Sequence, residues 1–569
     1  MQLSVEDYML HHYPAIETFP NIAKKLLFSS MKKLFHETQI NTFMVENAHK
    51  DTFSYIESIL DYFDISIGLK SNEMTRIPAY GRTVIIANHP LGALDAMALL
   101  YLLKDVRKDI KIVANSFLYQ FDNIKDIIIP VDNINGRMDK ETVKSIYNAL
   151  EAEKAVIIFP SGEVSRAKPN GVKDTRWKSG FLKIASKTKS PILPIYIHAK
   201  NSKNFYLLSM LNRSLATATL PHEMFKAKGK TIDFRIGKAI PFEAYDSVSI
   251  SSKETLKLLR KHFYKVAKKH KPIFRTQNDI SVPEERQELK AELKNGTLLG
   301  ETFDGKNIIV YESAIENCII KEIGRLREIS FRHVGEGSGK KRDIDGYDFY
   351  YKHLIIWDDE ALEIAGAYRL GICREIIEDF DLEGLYTSTL FNFDKKFDPY
   401  LERGIELGRS FVQPKYWNSR ALDYLWQGIG AYAKTRPDIQ YLFGAVSLSD
   451  TFNEKAQGMM IYFYRKYFSP LEALATHKVP YHVSKWVEEH CETLFTGDDY
   501  KSDMRLLKEE LGFMGYTVPT LFKQYGELCK EGGVHFLDFG YDKDFNNCID
   551  GFIVADLNLL KETKRKRYF

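Results

Sequence analysis

The chain has little cysteine for its length, and none of it is paired. Cys318, Cys373, Cys491, Cys529 and Cys548 are scattered through 569 residues, without the spacing of a disulfide framework or a zinc knuckle. This fits a reduced, cytoplasmic protein with no resident metal. Long apolar runs are also missing. None approaches the roughly 18 residues that a spanning helix needs. The opening "MQLSVEDYMLHHYPAIE" is acidic and has no apolar core, so it does not read as a secretory signal. An excess of one charge is absent too, with 80 Lys and Arg against 76 Asp and Glu. No dense basic stripe interleaves with aromatics, which argues against a nucleic-acid partner. The small positive surplus fits contact with an anionic lipid surface. The expected location is therefore cytoplasmic, peripheral on the inner face of the membrane.

What is present is the material of large folded domains. Hydrophobic residues make up 44% and aromatics 13%, a globular composition, and at about 150 residues per domain the length calls for at least two. Residues 1–70 read as helical. In "KKLLFSSMKKLF", Leu27, Met31 and Leu34 share a face beside Phe28 and Phe35, with lysines opposite. Either this face packs on a core or it lies on a membrane. From 71 to 275, the apolar runs "TVIIAN", "KIVAN", "DIIIPV", "AVIIFP", "PILPIYI" and "TIDFRIG" alternate with helical patterns. That alternation predicts an α/β domain around a buried sheet. Pro194 inside "PILPIYI" suggests an edge or a bulge. Residues 276–300 are polar and weakly patterned and read as a linker. A second α/β domain is expected over 301–569, ending in the basic tail "KETKRKRYF".

In "VIIANHPLGALDAMALLYLL", an apolar strand delivers Asn88 and His89 to a turn, and Asp95 falls in the first turn of the next helix. There the helix dipole favours a carboxylate, and Gly92 allows a sharp turn. Asp95 can reach the His89 ring and leave the other nitrogen free to take a proton from a substrate hydroxyl. A histidine that merely caps the helix is the alternative. "AVIIFPSGEVSR" repeats the pattern: a buried strand runs into a turn holding Ser161, Gly162, Glu163 and Arg166, suited to an anionic acceptor. "IIIPVDNINGR" leads a strand to Arg137. Together "NHPLGALD", "IIIPVDNINGR", "FPSGEVSR" and "ILPIYI" resemble the four motifs of the lysophospholipid and glycerolipid acyltransferases, especially their haemolysin-like branch. The resemblance covers about 75–245. It implies that His89 is the general base, that Asp95 orients it, and that Asn88, Arg137, Ser161, Gly162, Glu163 and Arg166 shape the acceptor site. Two departures, one extra residue between His89 and Asp95 and a serine before Gly162, suit that branch and point away from a plain glycerol-phosphate acceptor.

The second half carries another charged series: Arg327, Phe331, Asp345, Asp348, Arg369, Glu406 and Arg409. Each alone could be an ordinary ion pair, but buried charges are tolerated mainly when paired. The order resembles the N-acetyltransferase-like superfamily, and within it the acyl-homoserine-lactone synthases and, more closely, the ornithine-lipid N-acyltransferases, over about 300–560. That resemblance implies these residues bind substrate, with Glu406 or an Asp as a candidate for deprotonating the amine. The turn "QPKYWNSRAL" lacks the glycines that bind the pyrophosphate of coenzyme A at a helix N-terminus, which points to acyl carrier protein as donor rather than free coenzyme A.

The two resemblances together imply a bifunctional aminolipid synthase. The second domain would acylate ornithine, glycine or a similar amino acid with a 3-hydroxyacyl chain. The first would then esterify the 3-hydroxyl. Two alternatives are a lysophospholipid acyltransferase with an inactive second half and a membrane-perturbing protein, though the latter would not need His89.

Overall fold

The computed structural model describes the chain apart from residues 1–2, 13, 132–138, 170, 247–249, 471, 544 and 546. It divides into two compact units, Met1–Asp279 and Ile280–Phe569. Arg137 lies outside the described residues.

The first unit holds strands β1 (Ser66–Gly68), β2 (Thr83–Ala87), β3 (Ile110–Asn115), β4 (Ile128–Val131), β5 (Ala155–Ile158), β6 (Arg166–Lys168), β7 (Gly171–Lys173), β8 (Ile192–His198) and β9 (Thr231–Ile236). Seven of them form one sheet in the order β1-β9-β8-β2-β5-β3-β4. Every neighbouring pair in it is parallel except β8 and β9. All of β2 and β5 is buried, as expected of strands covered on both faces. Because β2, β5 and β8 are parallel, their carboxyl ends share one edge, the usual place for a site in an open α/β sheet. Pro194 does not sit on an edge, since β8 lies between β9 and β2. Instead the register slips beside it. Ile195 pairs with Ile236 but Ile192 pairs with Ile240, so residues 237–239 oppose only 193–194. The missing N–H falls at this bulge.

The N-terminal helices run Asn21–Leu34, Glu37–Glu46 and Thr52–Tyr62. In the first of these, Phe28 is buried and Leu27, Met31 and Leu34 are half-buried, while Ile22 and Leu26 are exposed. The amphipathic face thus packs only in part. A further helix of this unit runs Ser252–Ala267.

The second unit holds β10 (Thr297–Glu301), β11 (Asn307–Tyr311), β12 (Lys352–Asp358), β13 (Glu363–Ile372), β14 (Phe391–Phe393), β15 (Gly404–Val412), β16 (Tyr441–Leu448), β17 (Ala475–His477), β18 (Val534–Asp542) and β19 (Cys548–Asp556). Eight of them make a sheet ordered β10-β11-β12-β13-β15-β16-β19-β18, antiparallel except for β15 and β16. The stretch read as a linker carries the helix Arg286–Glu292 and β10, both in this unit. Its polar sequence hides two apolar anchors one helical turn apart, Leu289 and Leu293, both buried.

β15 and β16 pair only at Gly404–Glu406 with Tyr441–Phe443. They touch at Gly444, where a Cβ would meet the Leu407 carbonyl oxygen at 2.0 Å. Beyond it β15 continues along β13 and β16 along β19, so the sheet opens into a wedge.

Two candidate acyl-transfer sites

His89 leaves the end of β2. Its Nδ1 lies 2.8 Å from Asp95 Oδ1, and Asp95 is wholly buried. The other Asp95 oxygen accepts the Leu91 and Gly92 N–H groups at 2.7 and 3.3 Å. The turn between the two residues thus supplies N–H donors to the carboxylate, and Gly92 takes a left-handed φ of 90° that disfavours side chains. Burial alone would lower the His89 pKa, but Asp95 outweighs it and the net shift is upward. The His89 ring stacks on Phe159, centroids 4.1 Å apart. Its side chain is 20% exposed, enough for a substrate to reach Nε2. A general base here must be neutral, so O-acyl transfer should rise with pH through a midpoint above the ordinary histidine value. Asp95→Asn should move that midpoint down and cut kcat about 100-fold. A kcat–pH profile checks this, and an unshifted midpoint would contradict it.

The turn after β5 is tied to the same place, with Ser165 N–H donating to the His89 carbonyl at 2.7 Å. Ser161 Oγ donates to the Glu163 carbonyl at 2.7 Å, and Gly162 turns with φ 67°. Arg166 is buried, donates to Ser209 Oγ and Thr217 Oγ1 at 3.1 and 2.9 Å, and lies 3.6 Å from Glu163. Asn88 exchanges two bonds with the Ile197 backbone, at 2.9 and 2.7 Å, clamping β2 to β8. A cleft of about 340 Å³ opens beside it, lined among others by Pro90, Tyr196, His198 and Lys200.

In the second unit the charged series condenses into one network. Arg327 grips Asp348 with both terminal nitrogens, at 3.0 and 2.8 Å, and pairs with Asp343 at 2.9 Å. Arg369 donates to Asp345 at 2.6 Å and Asp348 at 3.3 Å. Arg409 lies 3.7 Å from Asp343 and 3.5 Å from Asp345. Three carboxylates thus face three guanidinium groups. Burial would raise the Asp348 pKa, yet Arg327 and Arg369 hold it well below the usual range. Phe331 packs edge-on to Phe545 at 5.2 Å, and Arg409 stacks over that ring and Tyr386. Arg409 has φ 52° at a bulge where Tyr368 faces two residues of β15, a strained conformation of the kind that re-aims side chains at sites. Asp348→Ala would strand two buried arginines. It should cost about 3–5 kcal/mol of stability, read by denaturant titration; a loss under about 1 kcal/mol would show the network to be dispensable.

Both halves have counterparts among known proteins. The family described as Acyltransferase matches residues 15–270, and the one described as Acetyltransferase (GNAT) domain matches 326–427. A glycine Nα-acyltransferase of Bacteroides thetaiotaomicron is 35% identical over 307 residues, 51% of this chain and 89% of the relative. The chain belongs to the family of that acyltransferase. Its other half is similar to a lyso-glycine lipid O-acyltransferase of Phocaeicola vulgatus, 27% identical over 229 residues, 39% of this chain and 81% of the relative. An L-ornithine Nα-acyltransferase of Rhizobium meliloti matches at 33% over 128 residues, 21% of this chain and 42% of the relative. The protein is thus an acyltransferase joining an acyltransferase domain to a GNAT-like domain.

Within the GNAT-like domain, Glu406 is fully engaged. One oxygen accepts the Thr387 N–H at 2.6 Å; the other accepts the Tyr386 N–H at 3.1 Å and the Tyr351 hydroxyl. A different carboxylate stands at the wedge. Glu336 is 8% exposed and accepts from Ser447 Oγ, on β16, at 2.8 Å. Burial raises its pKa to about 7, with Asp450 adding to the rise against the Ser447 bond. Asp550 is also held high by burial, by Asp542 and by Glu336. In the first domain, buried Asp174 accepts from Ser165 Oγ at 2.6 Å, Trp177 Nε1 at 3.0 Å and the His89 N–H at 3.5 Å. Glu336, Asp343 and Asp174 are absent from the candidates that the sequence supplies. The only local signal for Glu336 is a lone acid in the glycine-rich "HVGEGSGKK".

Proposed function

We propose that the protein makes a diacylated amino-acid lipid, with glycine as the amino acid. The carrying observation is that one chain is similar in its GNAT-like half to glycine N-acyltransferases and in its first half to lyso-glycine lipid O-acyltransferases, which supports reading the two as consecutive steps. Ornithine N-acyltransferases match less of the chain and less than half of their own length.

In the first step the glycine amine attacks the thioester carbonyl of a 3-hydroxyacyl donor. A carbon–nitrogen bond forms, the carbon–sulfur bond breaks, and the amine proton goes to Glu336, which returns it to the leaving thiolate. Arg369 and Arg409 hold the amino-acid carboxylate, and backbone N–H groups left unpaired in the β15–β16 wedge stabilise the oxyanion. Glu406 holds the turn at Tyr386 and Thr387. In the second step the 3-hydroxyl attacks another acyl thioester while His89 Nε2 takes its proton and passes it to the leaving thiolate. N-acylation removes the amine's charge and leaves a carboxylate, for which Lys200 in the cleft beside Asn88 is a cationic partner. Joining the steps keeps the intermediate at raised effective concentration near the second site.

Acyl carrier protein is the proposed donor. The turn before the helix Ala421–Lys434 has no glycine, and the first N–H of that helix is already taken by Ser419 Oγ at 3.1 Å, which leaves a poor seat for pyrophosphate. The test supplies purified full chain with labelled glycine and 3-hydroxyacyl thioesters of acyl carrier protein or coenzyme A. Labelled amide formed faster from the carrier-protein thioester is expected. No amide from either donor would reject the reading.

A further inference from the structure

Residues Lys200–His222 contain no acidic side chain over 23 positions but carry Lys200, Lys203 and Arg213. They include two short consecutive helices, Lys203–Leu211 and Arg213–Ala218. The inner face is ordinary: Phe205, Ser209 and Ala216 are buried. The outer face is not. Leu207 is 61% exposed, Met210 69%, Leu211 86% and Leu215 57%. Leu207, Met210 and Leu211 follow i, i+3, i+4 spacing, so they share one face of their helix. Scattered surface leucines need no explanation, but four large apolar side chains on adjoining turns do.

This hairpin is fixed to the O-acyl site. Its Ser209 and Thr217 receive the Arg166 guanidinium, at the end of the turn whose Ser165 N–H bonds the His89 carbonyl. Asn201 Nδ2, just ahead of the first helix, donates to the Pro90 carbonyl at 3.0 Å. We infer that the hairpin 203–218 is a membrane-docking element whose outer face enters the headgroup–acyl boundary of an anionic bilayer, placing the His89 site at the lipid surface. Charge selects this occupant. Exposed Lys203 and Arg213 flank the apolar face, and no carboxylate within the hairpin repels lipid phosphate. The inference holds whichever amino acid the protein acylates.

The test uses the full chain and vesicles of phosphatidylglycerol and phosphatidylcholine, read by co-sedimentation. The native protein should pellet with vesicles containing phosphatidylglycerol, and less so without it or at raised salt. Met210→Asp/Leu211→Asp should weaken vesicle binding at least about tenfold, and Lys203→Glu/Arg213→Glu should weaken it and flatten the salt dependence. Thermal melts of the variants check that the chain still folds. Leu211→Trp gives a direct readout: its fluorescence should be quenched by brominated lipid beyond the quenching of the native tryptophans. The inference is overturned by a native chain that stays in the supernatant, by a Met210→Asp/Leu211→Asp variant that binds vesicles like native, or by a Leu211→Trp variant quenched no more than native. It is equally overturned if the loss follows only Ile22→Asp/Leu26→Asp on the N-terminal helix, or if the hairpin variants lose binding to acyl carrier protein but keep binding to vesicles.

Discussion

His89→Gln is expected to lower the rate of ester formation about 10³-fold while leaving amide formation within about twofold of native. In cells the mono-acylated amide should accumulate in place of the diacylated lipid. The size of the effect follows from the site. Glutamine keeps a polar group of similar reach but cannot act as a base near neutral pH, so no imidazolium forms for the buried Asp95 to stabilise. The lack of effect on the amide follows from the proposal that Glu336, in the GNAT-like domain, accepts the amine proton. Quantifying mono- and diacylated products from one reaction reads both outcomes. If ester still forms at the native rate, His89 is a helix-capping residue and the base lies elsewhere.

Glu336→Gln is expected to lower kcat for amide formation about 100-fold, with KM for glycine changed less than about threefold. The sign of the pH dependence separates a base from a structural residue. A carboxylate that accepts the amine proton must be ionised, so native kcat should rise with pH through about 7, the value to which burial raises this group. The glutamine variant should lose that limb. Ester formation from supplied N-acylglycine should be unaffected and shows that the variant chain is folded. A variant that keeps both its rate and its pH limb would move the proton to another acid, with Asp550, on β19 beside Glu336, the first to examine.

The α/β character of both halves was legible because continuous apolar runs such as "TVIIA" and "AVII" have one good use, a strand buried on both faces. The His89–Asp95 couple was legible for a related reason: a single short turn separates the partners, so spacing alone brings them within reach. Pairings across the sheet were not legible. Arg327, Asp348, Arg369 and Arg409 could be named as a series, but only the folded sheet makes Asp348 the shared partner of two arginines. Glu336 escaped because its burial depends on Ser447, 111 residues away, and no local pattern announces a long-range contact. Asp174 escaped similarly: it stands in a polar loop and becomes central only when β6 and β7 bring it under Ser165 and Trp177. Pro194 announced an edge or a bulge, and the register slip in the interior strand makes it the bulge.

The most direct test of the central claim is a lipid mass spectrum. The full chain, native or His89→Gln, is expressed in a bacterial host that makes no aminolipids, and total lipids are extracted. The account predicts a new diacylglycine lipid with one amide-linked 3-hydroxyacyl chain and one ester-linked chain in the native strain, and its mono-acylated amide in the variant strain. A native strain with no new aminolipid, or one whose only change is in phospholipid acyl chains, would contradict it.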